Sequence, residues 1–333
     1  MKYSAWSTYS TDDIYGVIFN MDGTIYKDAF KIDKDKGPAA LAVGPNRFFV
    51  AYGGNAVVLD WEGNSIKGKF ETKSGYVPVK AVYAKNAYYL LLTPYSGGGG
   101  IVQAYGLNGE PAGSFNVDTS ININGKPAEN YYFFSEIIVP EGDMAFYEDN
   151  LFIVWYEKSS STVYGISYDL NGKKSKEKFA IGKIDNSHCT HNCIQATFVN
   201  PQVEAGKYFM VAFDGKIFLY DKKTLNQVGG QKTITLDCQN DMAYGDGKYL
   251  VTQDNDAIFL DEDGNQIGSG TFGGHSDVFT HLAYGNKMYV GIVAIHTTDD
   301  GIGASFLDYN GKHLIDTLPL AMPESPGWAA YDW

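Results

Sequence analysis

The sequence predicts an all-β fold built from a repeated four-stranded unit, and three observations predict it. Composition is the first: 25 tyrosines, 19 phenylalanines and 38 glycines against 11 prolines suit many short strands joined by glycine turns. The second is a strand pair around a tight turn, repeated seven times along the 333 residues. The third is hydrophobic alternation of period two through the copies, which marks strands rather than helices.

In chain order the repeated pairs are "IYGVIFNMDGTIY" from residue 14, "AVVLDWEGNSI" from 56, "IVQAYGLNGEPAG" from 101, "VYGISYDLNGKKS" from 163, "KIFLYDKKTLNQV" from 216, "AIFLDEDGNQIG" from 257 and "ASFLDYNGKHLI" from 304. Their turn glycines are Gly23, Gly63, Gly109, Gly172, Gly264 and Gly311, the fifth copy having "KKTL" in that place. The spacings are 40, 46, 63, 92 and 47, and 92 is two repeats of about 46. Each pair follows a second one whose first strand is small and apolar and whose second is aromatic, as in "ALAVGPNRFFVAY", "KAVYAKNAYYLLL" and "DMAYGDGKYLVTQ". Four strands at this period are the blades of a β-propeller, whose radial repetition leaves only short, protected edges.

The ends set the expected count. "PGWAAYDW" at the C-terminus reads as the first strand of a blade and "YSAWSTYSTDDIYGVIFNMDG" as its other three, and Gly311 lies 45 residues from Gly23 through both termini. The expectation is a single seven-bladed β-propeller domain, residues 1–333, with four antiparallel strands per blade. A blade shared by residues 1–28 and 324–333 would close the ring. "DIYGVIFNMDGTIY" at 13–26, with the strand pair before it, resembles the repeat of bacterial secreted β-propeller proteins. That resemblance implies architecture and no particular activity.

Charge and motifs exclude several classes. A formal charge of -13 disfavours nucleic acid or an anionic membrane surface as partner. Arg47 is the only arginine, which excludes phosphate recognition by an arginine cluster. No apolar stretch reaches the roughly 18 residues that span a bilayer. The sequence has no G-x-S-x-G elbow, H-E-x-x-H helix or Rossmann fingerprint, and "GGGG" at 97–100 lacks the strand-to-helix context of a phosphate loop. "DEDGN" at 261–265 opens like a calcium loop but lacks its twelfth-position glutamate, so a glycine-bulge turn is the better reading. The expected compartment is extracellular or periplasmic, as a mature form, with the cytoplasm as the alternative.

Strand alternation sorts the loops by face. The glycine turns join the third and fourth strands on one face, so the second-to-third loops and the crossings between blades share the opposite one. That face carries the insertion 118–142, the loop 182–195, and His188, His191, His275, His281, His296, Cys189, Cys193 and Cys238, with His313 beside a glycine turn. Loops of such length on a rigid scaffold are where binding and catalysis concentrate.

Aligning the first strands puts Ala40, Lys80, Asp143, Gln195, Asp241, His281 and Trp328 at one level near the axis. Three readings stand. In the first, an enzyme takes a small organic molecule: Asp241 orients His281 as a base, and Asp143 and Lys80 polarise the substrate or hold a single axial metal ion, calcium or a transition metal. Hydrolysis, lactone opening, elimination and oxidation all suit such a ring. In the second, a binding module recognises a glycan or protein through Trp328, Gln195, His275, Asp277 and His191, with the "NYYFF" run at 130–134 beside them. In the third, the polar ring is hydration. For "SHCTHNC" at 187–193 the readings are a disulfide from Cys193 or Cys189 to Cys238, a zinc site including His188 and His191, or solvated residues. A monomer is expected.

Overall fold

The computed structural model describes residues 3–7, 13–20, 22–34, 39–121, 123–124, 139–184, 201–236, 241–253, 256–273, 281–285, 287–295 and 301–320. These contain strands and turns and no helix, and therefore no helix able to cross a membrane. They fall into two compact units, residues 35–238 and the pair of segments 1–34 and 239–333.

The 35–238 unit holds four sheets, each pairing its strands in chain order. They are β4 to β7 (Ala39–Gly44, Arg47–Tyr52, Asn55–Asp60, Ser65–Glu71), β8 to β11 (Tyr76–Ala84, Ala87–Pro94, Gly98–Gly106, Pro111–Ile121), β14 to β17 (Gly142–Tyr147, Asn150–Glu157, Thr162–Asp169, Lys174–Lys183) and β18 to β21 (Gln202–Ala205, Phe209–Phe213, Lys216–Tyr220, Lys232–Thr233). A two-stranded ribbon, β12 (Ile123–Asn124) with β13 (Val139–Pro140), stands where the insertion leaves β11. The other unit holds β22 to β25 (Asp241–Gly245, Lys248–Gln253, Asp256–Asp261, Gln266–Thr271) and β26 to β29 (His281–Gly285, Met288–Ile295, Gly301–Asp308, His313–Leu320). It also holds a sheet of β1 to β3 (Tyr3–Ser7, Asp13–Phe19, Ile25–Lys34).

The expected seven four-stranded blades are therefore corrected. Among the described residues six sheets are four-stranded and the N-terminal sheet has three strands, β1 to β3. Residues 324–333, which the sequence reading assigned to that sheet, lie outside the described residues.

Burial explains the two kinds of strand. Second strands are apolar without alternation, as in Phe48 to Tyr52 and Tyr88 to Leu92, and are buried throughout. A strand can be apolar on both sides only if both faces of its sheet are covered. Fourth strands such as β17, "KSKEKFAIGK", alternate and stay largely exposed.

The covering comes from the next sheet. Phe49 and Val58 pack with Tyr88, Leu90 and Tyr105, and Phe49 stacks on Tyr88 with ring centroids 5.0 Å apart. Leu91 and Val117 likewise meet Met144, Trp155 and Ile166, and Phe152 and Val154 meet Phe209 and Tyr220. In the other unit Leu250 and Phe259 meet Tyr289 and Leu307, and Val290 and Phe306 meet Val17 and Phe19. Each such side chain contributes about 1.5–3 kcal/mol when fully buried.

The glycine turns dock these layers. Gly172 has φ +86°, and its N–H donates to Asp169 O at 3.1 Å. A Cβ at Gly172 would lie 2.5 Å from Phe115 Cγ of the preceding sheet, so the glycine is required twice, by backbone conformation and by contact. The fifth turn, without glycine, makes a wider loop in which Leu225 takes φ +51° and donates to Asp221 O at 2.8 Å. The Asp221 carboxylate holds that loop by accepting from the N–H of Thr224 and of Lys223, and the Thr224 contact leads in lowering its pKa.

Buried tyrosines set a limit at alkaline pH. Burial pushes Tyr88 and Tyr105 up to about 12 and Tyr289 higher still. Their folded pKa exceeds the unfolded value near 10, so this contribution to stability is complete below about pH 10 and is lost as pH rises towards 12. Alkaline titration should therefore show the buried tyrosinate absorbance rising together with the loss of β-sheet circular dichroism. Gly172→Ala should cost about 2–3 kcal/mol in urea unfolding, from strain plus overlap with Phe115. Gly230→Ala, with open space around its Cβ position, should stay within about 0.5 kcal/mol.

Candidate functional site

The first strand of each sheet is an edge, so half of its main-chain groups face away from its own sheet. At a shared register, opposite Ala51, Leu91, Val154, Ala212, Thr252 and Ile292 of the second strands, stand Ala40, Lys80, Asp143, Gln202, Asp241 and His281. Within the 35–238 unit β8 packs on β14 and β14 on β18.

Asp143 joins these three strands. It is 3% exposed; its Oδ1 lies 3.1 Å from Lys80 Nζ, and its Oδ2 accepts the Val203 N–H at 2.9 Å. The other unit repeats the device. Asp241 Oδ2 accepts the Leu282 N–H at 2.8 Å, and Oδ1 accepts the N–H of Met242 at 2.8 Å. In both cases the acceptor serves the residue just after the register position of the next sheet. The aspartates thus satisfy edge N–H groups that no strand pairing reaches.

The sequence reading aligned Gln195 at this level. The first strand of that sheet is Gln202–Ala205, so Gln202 occupies the register, and Gln195 lies outside the described residues. His281 sits in β26 opposite Ile292. His188, His191, His275, His296, Asp277, Trp328, Cys189, Cys193 and Cys238 also lie outside the described residues.

Among the described residues no three His, Cys, Asp or Glu side chains converge, and the Lys80 ammonium stands against Asp143 where a cation would bind.

A second polar cluster escaped the sequence reading. Glu157, at the start of the β15 to β16 connection, accepts from Ser120 Oγ at 2.6 Å, Lys178 Nζ at 2.9 Å and Ser160 Oγ at 3.0 Å. Trp155 Nε1 donates to Ser120 Oγ at 3.2 Å, and Lys178 lies 4.0 Å above the Tyr164 ring. The Ser120 hydroxyl, then Lys178, holds the Glu157 carboxyl below its ordinary range. The cluster ties β11 to the next sheet; the only sequence signal was a glutamate ending an apolar strand. The β9 to β10 connection on the same side leaves Tyr95 46% exposed beside Gly97 and Gly98, both at positive φ.

Comparison with known proteins identifies the architecture. No family model and no curated protein matches the chain. The WD40 domain of Neurospora crassa Pan2 is 12% identical over 83% of this chain and 76% of its own, with a TM-score of 0.52. WD40 repeats build propellers from four-stranded blades. The fold is a β-propeller. Raptor from Chaetomium thermophilum is 12% identical with a TM-score of 0.57, over 88% of this chain and 25% of its own. BamB from Moraxella catarrhalis, at 10% identity over 95% of this chain and 91% of its own, has a TM-score of 0.49, too low to carry weight. Identities this low show the blades and say nothing of activity.

If the aspartates are structural, removing them should weaken the protein. Asp143→Ala should cost about 3–4 kcal/mol in urea unfolding, because it removes the carboxylate beside Lys80 and leaves the buried Val203 N–H without its acceptor. Asp241→Ala should cost about 1–3 kcal/mol. Lys80→Met should cost less than Asp143→Ala, since Asp143 keeps the Val203 N–H. Catalytic carboxylates behave in the opposite sense, and their removal commonly leaves stability unchanged or raised.

Proposed function

We propose that this propeller is a non-catalytic recognition module that binds a glycan or protein through the face carrying its second-to-third strand connections and its blade crossings. The observation that carries the reading is the use of Asp143 and Asp241. Asp241, read as the orienting partner of a base, and Asp143, read as polarising a substrate or holding a metal, each accept a main-chain N–H from the next blade, which supports a duty in holding first strands together. That geometry supports an architectural duty for these carboxylates, and the sequence features it does not absorb belong to the loops.

Those loops have the composition of a recognition surface. Tyr95 offers an exposed ring next to glycine main chain, and Trp328, His275, Asp277 and His191 belong by sequence to the same face. Lys80, about one third exposed, can supply a point charge to an anionic group of the ligand. The charge of -13 supports a neutral or basic partner over nucleic acid. The resemblance of the "DIYG…DG" repeat to bacterial secreted propellers supports action outside the cytoplasm.

The test is a panel of immobilised glycans and peptides, with mass analysis of each retained ligand. Binding should weaken about tenfold or more in Trp328→Ala or Tyr95→Ala, as expected for an aromatic anchor, with the ligand recovered unaltered. Recovery of a chemically converted ligand, with conversion lost in Asp241→Asn, would return the site to catalysis.

A further inference from the structure

Three of the glycine turns are Asn-Gly turns with both residues described: Asn108–Gly109, Asn171–Gly172 and Asn310–Gly311. They share one geometry. The glycine N–H donates to Gly106 O at 2.8 Å, Asp169 O at 3.1 Å and Asp308 O at 3.0 Å, with glycine φ of +79°, +86° and +85°. All three asparagines are exposed.

Their surroundings differ. In the second and third turns the opening residue is aspartate, and its carboxylate accepts the asparagine N–H, at 2.9 Å for Asn171 and 2.7 Å for Asn310. In the first turn the opening residue is Gly106, and Glu110 folds its carboxylate back over it. There Arg47, the first residue of β5 in the neighbouring blade, donates from Nη1 to the Asn108 side-chain carbonyl oxygen.

A cation bonded to the amide oxygen acts where charge develops when that amide is attacked. We propose that Asn108 is a self-modification site, deamidated through a cyclic imide with Arg47 as the electrophilic partner. The Gly109 nitrogen gives its proton to solvent base and bonds to Asn108 Cγ. The carbonyl electron pair moves onto Oδ1, where the guanidinium stabilises it. Collapse breaks the Cγ–Nδ2 bond, and ammonia leaves with a proton from solvent. Water then opens the imide to aspartate or isoaspartate, so the net change is amide plus water to acid plus ammonia, with no redox step.

The products would alter the seam. A new carboxylate stands against Arg47, and the isoaspartate main chain is longer by a methylene. Gly109, whose Cβ position lies 3.0 Å from Val58, Lys67 and Phe70 side-chain atoms, then leaves its seat on the preceding blade.

The experiment incubates the folded full chain at mildly alkaline pH and follows conversion at the three asparagines by peptide mass mapping. A buried oxyanion donor is worth about 10²–10³ in rate; an exposed guanidinium is screened by water, so Asn108 should convert about tenfold faster than Asn171 and Asn310. Arg47→Met should bring it down to their rate with the thermal transition unchanged. Equal rates at the three sites, or an undiminished lead in a folded Arg47→Met, would overturn the proposal. The same mapping in denaturant covers the case in which Arg47→Met fails to fold: the lead should vanish, and a lead that persists there would assign it to local sequence and refute the role of Arg47.

Discussion

The structure depends on one constraint: the middle strands of each blade are apolar on both faces, so no blade can be stable without neighbours on either side. Phe48 to Tyr52 and Leu151 to Tyr156 leave no polar face to turn outward. Everything else that repeats answers this requirement. Aromatic rings fill the space between sheets, turn glycines let the third-to-fourth connection of one blade sit against the ring of the one before, and aspartates on the first strands bind main-chain groups that edge strands leave over. In Gly172 the φ of +86° and the Phe115 contact are one requirement met twice, by the absence of a side chain.

Polar groups follow the same seams. Tyr289, fully buried, turns its hydroxyl to Gly245 O at 3.2 Å and Lys248 O at 3.1 Å of the preceding blade. Lys67 Nζ reaches Gly109 O at 2.9 Å, and Lys248 Nζ reaches Tyr309 O at 2.9 Å. These cations cap carbonyls of the next turn, so in a chain with 39 acidic and 26 basic side chains some of the scarcer charge is used between blades. A side-chain amine can do this from the surface because its stem lies along apolar neighbours while its head meets the carbonyl.

The repeat was legible because each part has a local cause. A D-x-x-G turn needs its glycine, and a buried strand needs its apolar run, whatever stands elsewhere in the chain. The register of the fifth blade was not legible. "IQATFV" has the alternation of a first strand, but "QVEA" takes that place, with Gln202 seven residues after Gln195, because a crossing can vary in length without changing the pattern on either side. The fourth strand of the same blade shrinks to Lys232–Thr233 beyond the Gly229–Gly230 pair, which gives nothing to pack. Nor could the sequence tell the duty of Asp143. Its partner at Val203 is a main-chain N–H, and main-chain partners leave no residue type to read.

That last point governs how function can be read from such a chain. A ring of aspartate, lysine and histidine near a propeller axis has the residue types of an acid-base site, and residue types alone favour chemistry. Geometry adds a second demand on the same residues, because an edge strand with inward N–H groups needs acceptors whether or not anything binds there. Two aspartates at one register, each serving the residue after that register in the next blade, form a structural repeat. Asymmetry is then the useful sign. It lies in the connections, where Tyr95, the Glu157 cluster and the insertion after β11 have no counterpart by sequence in the other blades. Specificity on a repeated scaffold must come from what does not repeat, and it is on the unmatched connections that the proposed recognition rests.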